Sequence, residues 1–490
     1  MLYGILLRVR QYLVNRSMWH DEANLALNIV HRDFGALLQP LDYDQGAPLG
    51  FLFIVKFFTL LFGNDDFIMR ILPIAAGILG VYFADRLAKE YLGAGAPFFL
   101  LLFATSWSLV YYASEFKQYS SDVMAAVILL YLGFRALDDQ STNKDIWLLG
   151  WVGFLLIWIS HPAAFLVSGI GVTLFGVKLL KRDFPSLPRI LGLGAAWMLS
   201  FGLNYLVSLR TLSADASLKQ YWKNAFMPLP PWRDWGWFLK TYDVSLLRYS
   251  ASGFQIDPLP TLLAALALIG GLALLFRNWQ MLLMLLAPLG MTSIASMMGI
   301  YPIRGRLALF LLPFFFLLLA ESFRYLYALL KKWHWSIAGI AYWVLVIFIL
   351  WLPIKLSLRN FRTPRIDNHL KPVMVYVSEN RDAEDIVYPY HGARPSFNYY
   401  APFYGLDEGK IITGLDLGNT QALEQFYKHV GNKLDGNPRV WVIFSHIVDC
   451  GGCEGDMETF YVDYLNQYGD ILDEYRAPGA SVYLYDFSAP

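Results

Sequence analysis

Three short segments combine ionisable and aromatic residues in spacings suited to chemistry. Trp19-His20-Asp21-Glu22 sets two adjacent carboxylates directly after a short apolar stretch. Such a pair can take a proton from a bound hydroxyl or hold a cation. The competing reading is structural: Asp21 caps a helix beginning at Ala23, and Glu22 complements its dipole. The second segment runs Tyr111-Tyr112-Ala113-Ser114-Glu115-Phe116-Lys117-Gln118-Tyr119-Ser120-Ser121-Asp122. If it is helical, Glu115, Tyr119 and Asp122 share a face at i, i+4 and i+7. Ionisable groups near membrane depth are costly and mark function by default. The alternative is a solvated turn from which Lys117 snorkels. The third is Tyr301-Pro302-Ile303-Arg304-Gly305-Arg306, where two guanidinium groups flank a glycine. Guanidinium suits phosphate through paired hydrogen bonds, and interfacial anchoring is the plainer alternative.

Lesser candidates are scattered among these. His161 in Ser-His-Pro is either a hydrogen-bonded structural residue or a site contact. Arg70 follows Asp65-Asp66-Phe67, so it can hold phosphate or pair with either carboxylate. Asp42 and Asp44 in Leu-Asp-Tyr-Asp-Gln-Gly-Ala-Pro can contact an acceptor or shape a turn. Cys450 and Cys453 are the chain's two cysteines, in Cys-Gly-Gly-Cys after an expected strand. A structural disulfide fits an oxidising compartment. A redox pair of thioredoxin type lacks a clear helix start at Cys450 to lower its pKa. Two cysteines are too few for a zinc site, and no His/Asp/Glu cluster has convincing ligand geometry, so a divalent metal is compatible but not indicated.

The elements that must position these residues follow from composition. Of the 490 residues, 56% are hydrophobic and 16% charged, and mean hydropathy is +0.41. Ordinary soluble domains are roughly a quarter charged, which argues against a purely soluble chain. Aromatic residues make up 17%, suiting membrane–water interfaces. Net charge is zero, which gives no support for a nucleic-acid partner. That zero conceals a split. Residues 356–490 hold 11 Lys and Arg against 19 Asp and Glu, leaving the first 355 residues with a net charge of +8. A membrane body over 1–355 and an acidic, water-facing domain over 356–490 are expected.

A crossing helix needs roughly 20 mainly apolar residues. Runs near that length are Pro97–Ser114, Ile190–Leu209, Pro258–Phe276, Asn278–Ile303 and Trp333–Ile354. Shorter runs, Ile71–Ala84, Val123–Phe134 and Leu307–Ala320, are completed by snorkelling flanks. The stretch Ile146–Val177 is too long for one crossing and divides at His161-Pro162. With the N-terminal segment ending near Val14, this makes eleven expected spans. Met1–Leu7 is short and lacks a small-residue cleavage site, so no cleavable signal peptide is expected. Alternate short loops hold Arg86 and Lys89; Arg135 and Lys144; Lys178, Lys181, Arg182 and Arg189; Arg277; and Arg324, Lys331 and Lys332. A cytoplasmic N-terminus puts all of these inside and the C-terminal domain outside. The loops at 15–68 and 210–257 are then external. The first carries interfacial helices near Ala23–Val30 and Leu49–Phe62, and the second carries Trp222, Trp232, Trp235 and Trp237.

Beyond Leu356 short alternating strands appear at Ile386–Tyr390, Arg439–His446 and Ser481–Phe487, with helical periodicity over Glu454–Tyr468. The expected architecture is a mainly α polytopic bundle followed by a small α/β domain, with no internal repeat.

With these residues in place, the chain resembles the GT-C membrane glycosyltransferases. It looks most like the bacterial branch similar to protein O-mannosyltransferases (glycosyltransferase family 39) and to the lipid A aminoarabinose transferase. The resemblance rests on Asp21-Glu22, on Gln45-Gly-Ala-Pro48 leading into Phe51 and Leu-Phe-Gly63, and on Phe67-Ile-Met-Arg70. It continues through Glu115…Tyr119 and Arg306-Leu-Ala-Leu-Phe-Leu-Leu-Pro313. Each motif is loose alone, but their order and spacing together are specific. Where relatives often carry arginine after the second acidic residue, this chain has Lys117, a point charge in place of a planar fork.

The resemblance implies inverting transfer of one sugar from a polyprenyl-phosphate carrier to a lipid, polysaccharide or protein acceptor. The site would face outward from a bacterial cytoplasmic membrane, with the C-terminal domain periplasmic or extracellular. Asp21 would be the base, Glu22 its support and Glu115 the second acidic residue. Arg306, helped by Arg304, Lys117 and Tyr119, would face the lipid phosphate, while His161, Asp44 and Arg70 would contact donor or acceptor. Two other classes of reading compete. A flippase or transporter of lipid-linked saccharides would usually show internal repeats and mid-membrane charges. An inactive scaffold would use its acidic domain to bind a partner, and the segment Arg394-Pro-Ser-Phe-Asn-Tyr-Tyr is a candidate surface for recognising an acceptor.

Overall fold

The computed structural model describes every residue except 211–215, 251–256, 333–336, 408, 415–433, 435, 449–454 and 489–490. The described residues form two compact units. Residues 1–13 and 32–364 make the first, and residues 14–31 and 365–490 make the second. The change of composition at 355/356 thus lies close to one boundary. Segment 14–31, expected to belong with the first external loop, has its neighbours in the acidic C-terminal unit.

The first unit is helical because its long apolar runs can satisfy backbone groups in hydrocarbon only within a helix. In chain order its main helices are α1 (Leu2–Tyr12), α3 (Leu49–Phe62), α4 (Ile71–Tyr91), α5 (Ala96–Thr105) and α6 (Trp107–Tyr111). They continue with α7 (Tyr119–Leu137), α8 (Asn143–Ile159), α9 (Ala163–Leu180) and α10 (Leu187–Asn204). The last three are α11 (Leu259–Met297), α12 (Leu312–Lys332) and α13 (Ile337–Arg362). Helix α7 is the hub: every residue in it except Arg135 is buried, and it packs on α4, α8 and α9. Close helix approach depends on glycine, as two positions illustrate. A Cβ at Gly169 of α9 would collide with the Pro288 backbone of α11, and one at Gly270 of α11 would collide with the Leu318 carbonyl of α12.

Among the described residues seven helices are long and apolar enough to cross a membrane, or eight if the pair bent by 55° around Ser106 counts as one. The eleven expected segments divide differently. Helix α11 runs 39 residues, about 58 Å, nearly twice the hydrocarbon thickness, and breaks helical geometry at Asn278. It therefore covers two of the expected segments. Helices α8 and α1, at 17 and 11 residues, correspond to two more but fall short of a crossing length.

The second unit is built on a five-stranded sheet ordered β2-β1-β3-β5-β4. Its strands are β1 (Ile386–Pro389), β2 (Lys410–Ile411), β3 (Val440–Ser445), β4 (Asp470–Ala477) and β5 (Ala480–Asp486). Strand β1 lies parallel to β2 and β3, whereas β5 is antiparallel to β3 and β4. Helices α14 (Leu370–Asn380), α15 (Arg394–Tyr400) and α16 (Met457–Leu465) complete the expected α/β pattern. Strands β1 and β3 are buried along their whole length, as their continuous apolar runs require. Helix α2 (His20–His31) packs on α15. The Tyr400 hydroxyl accepts from Met18 N at 2.8 Å, and Ser396 Oγ donates to Met18 O at 2.9 Å. Pro395, Ser396, Phe397, Tyr399 and Tyr400 are buried, so most of the segment suggested as an acceptor surface instead supports α2.

Candidate functional site

In the membrane unit the charged and aromatic candidates gather where α6 gives way to α7. The chain leaves helical geometry after Ser114, and Glu115 is extended at φ −108° and ψ 132°. Helix α7 begins only at Tyr119, so the expected common face of Glu115, Tyr119 and Asp122 does not form. Tyr119 and Asp122 share the first turn of α7, while Glu115 approaches from the preceding break and is only 1% exposed. A non-helical carboxylate can aim independently of the helix that follows it.

Two other segments cover this break. Gln45, ahead of α3, accepts a hydrogen bond from Lys117 Nζ at 2.5 Å, and Gln118 Nε2 donates to Gly46 O at 3.4 Å. Phe51 of α3 stacks on Phe116 with ring centroids 5.8 Å apart. From the other direction comes the 3-10 turn Gly305–Leu311. Gly305 adopts φ +57°, and its N–H donates to Ser245 Oγ at 3.0 Å; a side chain there would also meet the Tyr249 hydroxyl. This turn sets the Arg306 guanidinium 5.8 Å from the Tyr119 ring centroid, a cation–π arrangement. Tyr112 meets Tyr119 edge-on at 5.3 Å and stacks on Tyr249 at 6.0 Å. Glu115 and Arg306 both lie within electrostatic reach of the Tyr112 phenol. One carboxylate, one arginine and three phenols thus converge, a set able to hold a phosphate and orient a hydroxyl, while Lys117 reaches to Gln45.

The remaining candidates of this unit occupy varied places. Arg304 is half-buried and extended just before the turn. Tyr301 donates to Leu307 O at 2.9 Å and meets Phe165 of α9 edge-on; burial, then the nearby Asp122 carboxylate, raises its phenol well above the ordinary value. His161 sits in the turn between α8 and α9. The residue as a whole is half-buried, its Nε2 is shielded, and burial lowers the imidazole to about 4. Arg70 is buried between the short helix Asp66–Met69 and α4, within electrostatic reach of Tyr12. Asp44 is exposed in a left-handed turn at φ +51°, and Asp42 pairs with Arg32 at 2.8 Å.

Asp21 and Glu22 belong to the other unit, on α2. The helix starts at His20 and not at Ala23, so Asp21 lies in the first turn beyond the cap position. It is half-buried, and its carboxylate complements the positive end of the helix. Glu22 has no exposed surface and forms an ion pair with Arg16 at 2.6 Å, itself 1% exposed. His20 Nδ1 lies 3.2 Å from Gly392 O, and its ring is 5.0 Å from that of His446. Cys450 and Cys453 lie outside the described residues. Among the described residues no group of three or more His, Cys, Asp or Glu is arranged to hold a metal.

Sequence reasoning did not single out Tyr249, Arg16 or Arg8. The first two are ordinary by type and gain significance only from contacts. Arg8 carried a readable signal, a charge in the middle of an apolar helix.

The fold is that of the GT-C membrane glycosyltransferases. The family model for dolichyl-phosphate-mannose-protein mannosyltransferase matches residues 46–201. The whole chain is similar in structure to ArnT from Cupriavidus metallidurans. The apo state matches at TM-score 0.52 with 11% identity, and the state bound to undecaprenyl phosphate at 0.54 with 12% identity. Each match covers 99% of this chain and 97% of the other. No curated protein sequence matches the chain significantly.

Proposed function

We propose that this protein is an inverting glycosyltransferase that moves a single sugar from a polyprenyl-phosphate carrier to an acceptor on the outer face of a bacterial cytoplasmic membrane. The observation that carries the reading is the placement of Arg306 over Tyr119, with Arg306 and the buried Glu115 both within electrostatic reach of Tyr112. The fold shared with an ArnT that binds undecaprenyl phosphate supports the choice of donor.

In the proposed reaction Asp21 takes the proton of the acceptor hydroxyl. That oxygen bonds to the anomeric carbon as the bond from this carbon to the phosphate oxygen breaks. The electron pair leaves with polyprenyl phosphate, whose added negative charge is met by Arg306 and Lys117. Fixed positive charge in a water-poor site is most effective where charge develops. The phosphate leaves unprotonated, so no paired acid of the glycosidase kind is needed. Glu115 orients the acceptor or donor hydroxyls, and Arg304 supports Arg306. Glu22, tied to Arg16, holds the Asp21 segment in shape.

The test is a mass-spectrometric turnover assay in lipid nanodiscs, with a panel of polyprenyl-phosphate sugars and membrane extract as acceptor. The expected result is release of polyprenyl phosphate from one donor, loss of turnover in Asp21→Asn with donor binding retained, and weaker donor binding in Arg306→Ala. Normal turnover by Asp21→Asn removes the base assignment. Unchanged donor affinity in Arg306→Ala removes the phosphate role. Labelled lipid crossing vesicles without turnover replaces the transferase reading by transport.

A further inference from the structure

Arg8 lies in α1, is 1% exposed, and has no role in the reading above. Its Nη1 donates to Gly4 O at 2.9 Å and Ala104 O at 3.3 Å, and its Nη2 to Phe103 O at 3.2 Å. Phe103 and Ala104 lie in the last turn of α5, where the break at Ser106 leaves carbonyls unpaired within the helix. Those dipoles carry part of the compensation for a buried cation but no full charge. No carboxylate among the described residues pairs with Arg8, and its Nε is buried without a hydrogen-bond partner.

Arg8 also lines a cavity whose other walls include Gly77, Phe103, Tyr119, Val123 and Leu309. The cavity admits a single water-sized occupant. Gly77 keeps the space open: a side chain there would crowd Ala113 and the Arg8 stem. Gly77 is six residues into α4, about 9 Å along the helix from its first residue. A buried cation with an unused N–H, beside a small cavity, has the chemistry to hold an anion. Uncompensated burial of such a charge is costly, and one anion removes most of that cost. A phosphate or carboxylate is too large for the space, whereas a halide ion is a single sphere, larger than a water molecule but far smaller than either.

We propose that the Arg8 cavity binds one halide ion, chloride under ordinary conditions, as a structural counter-ion within the membrane unit. The cavity shares Tyr112 and Tyr119 with the candidate phosphate site, but the proposal does not depend on the sugar-transfer reading. It would lock α1 against the broken α5–α6 segment through Arg8.

The test uses the full-length protein in nanodiscs. Its melting temperature is followed in sodium chloride, bromide and gluconate at fixed ionic strength. The expected result is a saturable rise in chloride and bromide, none in gluconate, loss of the rise in Arg8→Gln, and weakening in Val123→Ile, which adds a methyl group to the cavity wall. An equal response to gluconate, or a full halide response in Arg8→Gln, overturns the proposal. Should Arg8→Gln fail to fold, bromide-soaked crystals of the wild type decide. An anomalous peak between Arg8 and Leu309 supports the site, and a water alone there overturns it.

Discussion

Replacing Glu22 by Gln separates two roles that the adjacent carboxylates Asp21 and Glu22 had in common at the level of sequence. The ion pair with Arg16 spans 2.6 Å, and neither side chain has more than 1% exposure. Breaking a buried pair from one side typically costs about 3–5 kcal/mol, because the other charge stays behind in a low dielectric. Glutamine keeps the shape and an acceptor oxygen, so the lower end, about 3 kcal/mol, is expected. That is a large fraction of a typical domain stability of about 5–15 kcal/mol, and should lower the melting temperature by roughly 10 °C. Hydrogen exchange read by mass spectrometry on the intact protein localises the effect. The amides of α2 should lose protection, and those of α9 and α11 should not. A double substitution of Arg16→Met with Glu22→Leu should regain much of the loss, since apolar replacement of a buried pair is often neutral. If Glu22→Gln melts like the wild type, keeps α2 protected and yet abolishes turnover, the structural reasoning is wrong and Glu22 acts in the chemistry.

Other expectations follow from packing and from burial. Gly270→Ala sets a methyl group against the Leu318 carbonyl, so helices α11 and α12 must part. A loss of about 1–3 kcal/mol is expected, read as a lower unfolding temperature, and an unchanged value removes the close-approach argument. His161 has a folded-state pKa of about 4, below the ordinary 6.5. The unfolded chain takes up this proton first on acidification, so the His161 contribution is complete above pH 6.5 and is lost as pH falls toward 4. Melting temperature between pH 7 and 4.5 should therefore fall more steeply in the wild type than in His161→Asn; parallel curves count against the buried, neutral imidazole.

Much of the architecture was legible because it is written locally. Apolar runs of crossing length, the charge split near 355/356 and the alternating strands at 386, 440 and 481 each follow from composition or a short period. The division of Leu259–Met297 was legible from Arg277, which separates the uncharged runs Pro258–Phe276 and Asn278–Ile303, and the helix departs from helical geometry at Asn278.

Tertiary structure decided what local pattern could not. Helical spacing put Glu115 on a face with Tyr119, but the chain broke before α7, because the segment bonds to Gln45 and Gly46 in place of extending a helix. Sequence proximity grouped residues 14–31 with the membrane body. Beside the local Arg16–Glu22 pair, their contacts reach more than 350 positions along the chain: Ser17 N donates to His369 Nδ1 at 3.2 Å, and Lys371 Nζ to Asn15 O at 2.6 Å. Asp21 and Glu22 are neighbours of equal chemistry in the chain. Helix geometry points successive side chains about 100° apart, so one became a fully buried ion pair while the other stayed half-open. Amino-acid order determined which residues could do chemistry; burial and distant pairing determined which of them are held for structure.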